Sequence, residues 1–170
     1  MKTICLTGMM GSGKSSIGEL LSKKLNVEFF DIDSLIEKKE AMTISEIFKL
    51  KGENYFRKIE QEVTLSVLKK ENQVISLGGG AFENEITHKK LLENSTVIYL
   101  KTSAEIIFER IKNDNSRPLL CDSMSVEKIK EILNKREKNY KSAPITANTD
   151  NKSIKTVAEE IIGVLNGSKN

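Results

Sequence analysis

An α/β fold, with a parallel sheet between layers of helix, is what this sequence predicts. Three observations predict it. Short apolar runs that stop at glycine or aspartate alternate with segments of helical period. The first run leads straight into a glycine-rich loop and then a helix. The spacing between runs suits right-handed crossovers between parallel strands.

Thr3-Ile4-Cys5-Leu6-Thr7 ends at Gly8, as a buried parallel strand does. Ile17, Leu20, Leu21 and Leu25 then recur at helical spacing over 15–25. Phe29, Phe30 and Ile32 predict a second strand that ends at the acidic pair Asp31 and Asp33. Thr43 and Glu46 form a capping box that opens a short helix ending near Gly52, and a longer helix runs from Phe56 to about Leu68. Val74-Ile75-Ser76-Leu77 is a strand entering Gly78-Gly79-Gly80, and Thr96 to Leu100 is a fourth. Thr102 and Glu105 read as a second capping box, opening the helix that carries Arg110. The polar stretch 113–125, with Pro118 inside it and no period, reads as a mobile loop. A helix over 126–140, a weak strand over 145–148 and an amphipathic helix over 156–165 complete the chain, with a frayed tail from Gly167.

In open α/β sheets ligands bind beyond the carboxyl ends of the strands. Three clusters fall at such ends: the loop from Gly8, Asp31 with Asp33, and Gly78 to Gly80. They are expected to share one cleft.

The chain has 170 residues, enough for one domain (1–170) with a core of its own. Its 38% hydrophobic and 30% charged residues are globular values that exclude disordered and fibrous classes. With 27 basic against 24 acidic residues the net charge is +3, which demands no nucleic acid partner. Two cysteines, Cys5 and Cys121, are too few for a disulfide framework. Met1 runs directly into a strand, and no apolar run approaches membrane-spanning length. A reducing cytoplasm and no membrane are the expectation.

Gly8-Met9-Met10-Gly11-Ser12-Gly13-Lys14-Ser15 matches G-x-x-x-x-G-K-S/T at every fixed position. A chance match in a chain of this composition has odds on the order of one in a hundred. Such a loop points successive backbone N–H groups at phosphate oxygens, and the following helix presents its positive end to the same anion. Lys14 reaches the β- and γ-phosphates, and the Ser15 hydroxyl can bind Mg²⁺. A nucleotide triphosphate is therefore expected. A switch GTPase is disfavoured: Asn134-Lys135-Arg136-Glu137 has Glu where the guanine-reading motif needs Asp, and no Asp has Gly three residues later.

Further along stand Asp31-Ile32-Asp33, Arg57 followed by Glu60, the triple glycine, Arg117-Pro118-Leu119-Leu120, and Arg136 with Tyr140. In this order, and with the phosphate loop, the series resembles the shikimate kinase family from Thr3 to about Asp150. The resemblance implies a three-layer P-loop fold with a five-stranded parallel sheet in order 2-3-1-4-5. It implies substrate-binding helices over about 33–70 and a mobile lid over about 113–125. It further implies ATP-dependent phosphorylation of the 3-hydroxyl of shikimate, in the chorismate route to aromatic amino acids, by a cytoplasmic monomer.

By motif match, Gly11, Ser12, Gly13, Lys14, Ser15 and Ser16 would hold the ATP phosphates, with Ser15 and Asp31 in the metal shell. Asp33, Arg57, Gly78, Gly79, Gly80 and Arg136 would bind shikimate. Arg117 would close over the phosphates, and Arg110, with the loop at Thr149 and Asp150, would lie on the adenine side. Lys14, Asp33 and Arg117 are the catalytic candidates. Leu77 departs from the Thr that many relatives carry before the glycines.

The residue chemistry agrees. Shikimate has one carboxylate and three hydroxyls; Arg57 and Arg136 supply forked donors for the first, and Asp33 an acceptor for the second. Plainer readings stand beside these. Either arginine alone could be a solvated surface residue. Asp31 and Asp33 could make a turn and a helix cap, and Gly78 to Gly80 a simple turn. Arg110 could pair with Asp114 at i,i+4. His88, the only histidine, falls in a polar helix and is expected to be an exposed bystander. Gluconate and nucleoside monophosphate kinases are the alternative enzymes, and a binding module without turnover the alternative class.

Overall fold

The computed structural model describes residues 1–112 and 125–167. Five strands form one parallel sheet: β1 (Thr3–Thr7), β2 (Glu28–Asp31), β3 (Gln73–Ser76), β4 (Ser95–Lys101) and β5 (Ile145–Asn148). Their order is β2-β3-β1-β4-β5, as the resemblance implies. The helices are α1 (Lys14–Leu25), α2 (Ile32–Glu40), α3 (Ile44–Val67), α4 (Glu85–Asn94), α5 (Ala104–Ile111), α6 (Val126–Lys141) and α7 (Ile154–Gly167).

The layering follows from the period of two in a strand. Within β1, Ile4 and Leu6 turn to one face and join Ile17 and Leu21 of α1 and Val157 and Ile161 of α7. Cys5 turns to the other face, with Ile36, Phe56, Ile59 and Leu91 of α2, α3 and α4. Both faces of the strand are covered, which is why β1 is apolar without alternation. Burial pushes the Cys5 thiol up to about 12, leaving it inert packing material. A third cluster, around Met9, Ile107, Ile111 and Ile129, packs α5 and α6 over the phosphate loop.

Three local expectations are corrected. β2 stops at Asp31, and Ile32 opens a helix. The Asp31 side chain accepts the Ser34 N–H at 3.1 Å, so Asp31 is the cap of α2 and Asp33 lies in its first turn. The short and long helices expected around Gly52 run into one another as α3, with a break only at that residue, so the second begins before Phe56. Thr102 caps nothing. Ser103 is the N-cap of α5, Thr102 is buried against Thr149 at 2.6 Å, and Glu105 pairs with Lys130 at 2.6 Å. The Thr43 box forms as expected, with Glu46 returning to the Thr43 N–H at 2.7 Å.

Candidate active site

Local chemistry builds an anion cradle between β1 and α1. Gly13, the N-cap of α1, sits at φ 93°, a left-handed conformation that a side chain would strain. No side chain caps the helix, and its first turn holds no acidic residue. The first-turn N–H groups and the positive helix end are thus left to a ligand. Ser12 Oγ is buried without a partner among the described residues. It lines the adjoining cavity as a hydroxyl that an anionic oxygen would satisfy. Lys14 Nζ donates to the carbonyls of Gly8 at 2.9 Å and Met9 at 3.0 Å. The ammonium is therefore held over the loop.

Ser15 Oγ donates to Asp31 Oδ2. One hydroxyl and one carboxylate oxygen are the hard donors that Mg²⁺ prefers when it keeps most of its shell for water and phosphate. Ser15 and Asp31 fit that ion as a two-ligand site.

On one flank a cavity of about 310 Å³ is lined by Gly11, Ser12, Ser16, Arg110, Thr149 and Lys152. Arg110 Nη1 donates to the Gly11 carbonyl at 2.9 Å, so this arginine turns to the phosphate loop. The loop after β5 is pinned there: Asp150 Oδ1 accepts the Ser103 N–H at 2.9 Å, alongside the Thr102–Thr149 contact. The structure thus brings Arg110, Thr149 and Asp150 together. Lys152 joins them unanticipated, a lone lysine in a polar loop carrying no readable signal.

On the other flank lies the acceptor side. Arg136 Nη1 donates to the Gly79 carbonyl at 2.6 Å, joining α6 to the glycine turn after β3. Arg57 Nη1 donates to Glu60 Oε2 at 2.8 Å. Both arginines, with Glu60 and Gly80, line a cavity of about 320 Å³. Gly78 and Gly80 are required by close approach. A Cβ on Gly78 would sit 2.1 Å from Glu60 Oε1 and 3.0 Å from Asp33 Oδ1, and one on Gly80 would sit 2.6 Å from Arg57 Nη1. Asp33, Gly78, Glu60 and Arg57 therefore form one packed group. Arg117 and most of the expected lid, residues 113–124, lie outside the described residues.

Glu60 is the residue that sequence reading passed over, noting it only as a neighbour of Arg57. It is 3% exposed. Burial pushes its carboxyl up from the ordinary value, against the pull of the Arg57 guanidinium. Its position three residues after an arginine, on the apolar face of Phe56, Ile59 and Val63, was the available signal. His88 is corrected outright: it is half-buried, its ring stacked on Phe82 at 4.1 Å.

The family model described as Shikimate kinase matches residues 10–166. The chain is 45% identical over 163 residues to the shikimate kinase of Persephonella marina, covering 96% of this chain and 98% of that one. To the shikimate kinase of a Sulfurihydrogenibium species it is 43% identical over 162 residues, with 95% and 96% covered. The solved structure of the Acinetobacter baumannii shikimate kinase in complex with shikimate superimposes at a TM-score of 0.93, with 31% identity over 99% of this chain and 95% of that one. The phosphate loop, the paired arginines and these likenesses agree: the chain belongs to the shikimate kinase family, phosphotransferases that use ATP as donor with Mg²⁺.

Proposed function

We propose that the chain transfers the γ-phosphoryl group of ATP to the 3-hydroxyl of shikimate, with the labour divided across the cleft as follows. Gly11 to Ser16 hold the phosphates of ATP, and Arg110 lies on the adenine side. Ser15 and Asp31 hold Mg²⁺, which when bound neutralises charge on the β- and γ-phosphates. Arg57 and Arg136 take the shikimate carboxylate, and the glycine turn lets backbone approach the ring. Asp33 accepts a hydrogen bond from the attacking hydroxyl and orients it; a loose transition state asks for little deprotonation. The new O–P bond forms as the bond between the γ-phosphorus and the β,γ-bridging oxygen breaks; the hydroxyl proton passes to Asp33 as the O–P bond completes, and ADP leaves. Lys14 stabilises the transferring group, and by the resemblance Arg117 does so from the lid over 113–125. The reading extends to one domain over 1–170, with substrate-binding helices over about 33–70. It extends also to a monomer in a reducing cytoplasm, the compartment resting on the cysteine count.

One observation carries the acceptor assignment: two guanidinium groups, Arg57 and Arg136, line one cavity beside the glycine turn that contacts Asp33. That arrangement suits a small carboxylate bearing hydroxyls. Coupled ADP release with shikimate, gluconate, AMP and CMP offered separately tests it. Shikimate is expected to give the highest kcat/KM, and a higher value for any of the others overturns the assignment. In the same assay Arg136→Ala is expected to lose roughly 10- to 150-fold in kcat/KM for shikimate, the range for a hydrogen bond to a charged group. ATP affinity should hold, and a parallel loss of ATP binding would move Arg136 to the other side of the cleft.

A further inference from the structure

The geometry points to His88 as a positioning residue for the acceptor site, acting through the register of α6 on the glycine turn. The inference rests on the reading that Arg136 takes the shikimate carboxylate and that the glycine turn approaches its ring. Those two parts come from distant stretches of chain, and Arg136 contacts Gly79 directly at 2.6 Å. α6 is packed on α5 through Ile129 and on β4 through Tyr140, but apolar packing carries no direction; a second directional tie, beside the Arg136–Gly79 bond, is what aligns the end of the helix with the turn.

His88 supplies it. Its Nδ1 lies 3.0 Å from the Phe82 carbonyl, and its Nε2 lies 2.9 Å from Ser142 Oγ. A carbonyl only accepts, so Nδ1 carries the hydrogen and donates it. In that tautomer Nε2 accepts from the Ser142 hydroxyl. Ser142 is the C-cap of α6, about a turn and a half beyond Arg136. Phe82 belongs to the short 3-10 turn over Ala81–Glu83, which continues the glycine turn through Ala81 N–H to Gly78 O at 3.1 Å and Glu83 N–H to Gly80 O at 3.0 Å. The imidazole therefore joins the end of the arginine-bearing helix to the segment whose glycines face the acceptor.

Tyr140, buried near the end of α6, stacks on Tyr99 of β4 at 4.4 Å and shares an apolar cluster with Phe82, which packs the helix against sheet and turn without a directional bond between them. The Ser142 hydroxyl also lies 2.6 Å from the Asn139 carbonyl, so its one hydrogen is divided between the helix end and His88. The ring itself is kept in plane by Phe82, at an interplanar angle of 9°. A side chain held by stacking and by both ring nitrogens is oriented as a hinge pin is, and the two parts it joins are the helix that carries Arg136 and the turn that meets the ring.

Two small substitutions in the full chain test this. His88→Asn keeps a donor near Nδ1 but cannot reach Ser142; Ser142→Ala cuts the same arm from the other side. Each is expected to raise KM for shikimate roughly 3- to 10-fold, the loss of about one net hydrogen bond. kcat and KM for ATP should stay at parental values, and the double variant should be no worse than either single one. Unchanged KM for shikimate in both variants overturns the inference. So do losses that add in the double variant, or a joint shift of kcat and both KM values, which would mark a merely structural role. Arg136→Ala run alongside separates the two layers. If it raises KM for shikimate while His88→Asn and Ser142→Ala do not, only the role of His88 fails; if it too leaves KM unchanged, the acceptor reading fails with it.

Discussion

Lys14→Ala is expected to lower kcat by on the order of 10²–10³-fold, the magnitude seen when one preorganised transition-state donor is removed. The parental ammonium is not a floating charge. It is tied to the Gly8 and Met9 carbonyls at 2.9 and 3.0 Å, so it stands over the loop before any nucleotide arrives. Alanine removes both the charge and the two ties. The α1 helix end survives, because its cap is Gly13 and its packing runs through Ile17 and Leu21. Circular dichroism should be unchanged while coupled ADP release collapses. Arginine is not expected to restore turnover, since its planar fork does not reproduce a compact ammonium. Near-parental kcat in a folded Lys14→Ala protein would remove the phosphate loop from the mechanism.

Gly78→Ala is the second large effect. The new methyl would sit 2.1 Å from Glu60 Oε1, a contact that cannot persist. Glu60 is buried and bonded to Arg57, so its retreat carries the guanidinium with it. The methyl also presses on Asp33 at 3.0 Å. Misplacing a reacting or binding group by an ångström costs about 10² in rate, and that loss in kcat/KM for shikimate is expected here. Overpacking adds about 1–3 kcal/mol of destabilisation, or a fall in Tm of roughly 2–10 °C for a chain of this size. ATP binding should hold, because the cavity lined by Gly11, Ser12 and Arg110 lies on the opposite flank. Gly163→Ala is the control: nothing lies within 4 Å of its Cβ, and alanine inside α7 should be neutral or stabilising. Parental kcat/KM in Gly78→Ala, or ATP binding lost in step with shikimate, would refute the packed group.

The strands and the phosphate loop were legible because their signals are local. β1 and β5 fall on the residues expected, and the glycine motif carries its own geometry. The Asp31–Ser34 region misled because Phe29, Phe30 and Ile32 look like one apolar run, whereas the Asp31 carboxylate takes a backbone N–H and starts a helix there. Thr102 misled for a tertiary reason: its hydroxyl goes to Thr149, 47 residues away. The same holds for His88, whose partners Phe82 and Ser142 meet only in the fold. Arg57, Arg136, Gly78 to Gly80 and Asp33 were singled out by their order along the chain, and the structure shows which of them touch. Glu60 escaped because a carboxylate beside an arginine on a helix is ordinary at the surface, and only burial makes it singular.

The place of β1 in the sheet has a consequence for synthesis. β1 lies at the centre and precedes both its neighbours, β3 and β4, in the chain, with Leu6 opposite Ser76 on one side and Ile98 on the other. When the phosphate loop leaves the ribosome, neither neighbour of its supporting strand exists. At 5–20 residues per second, Lys101 follows Thr7 by roughly 5–20 s. Until β3 and then β4 have followed, Ile4, Cys5 and Leu6, buried in the folded protein, present unpaired apolar edges open to chaperones or to neighbouring nascent chains. Nucleotide capture by growing chains therefore reports completion of β4, not emergence of the motif itself.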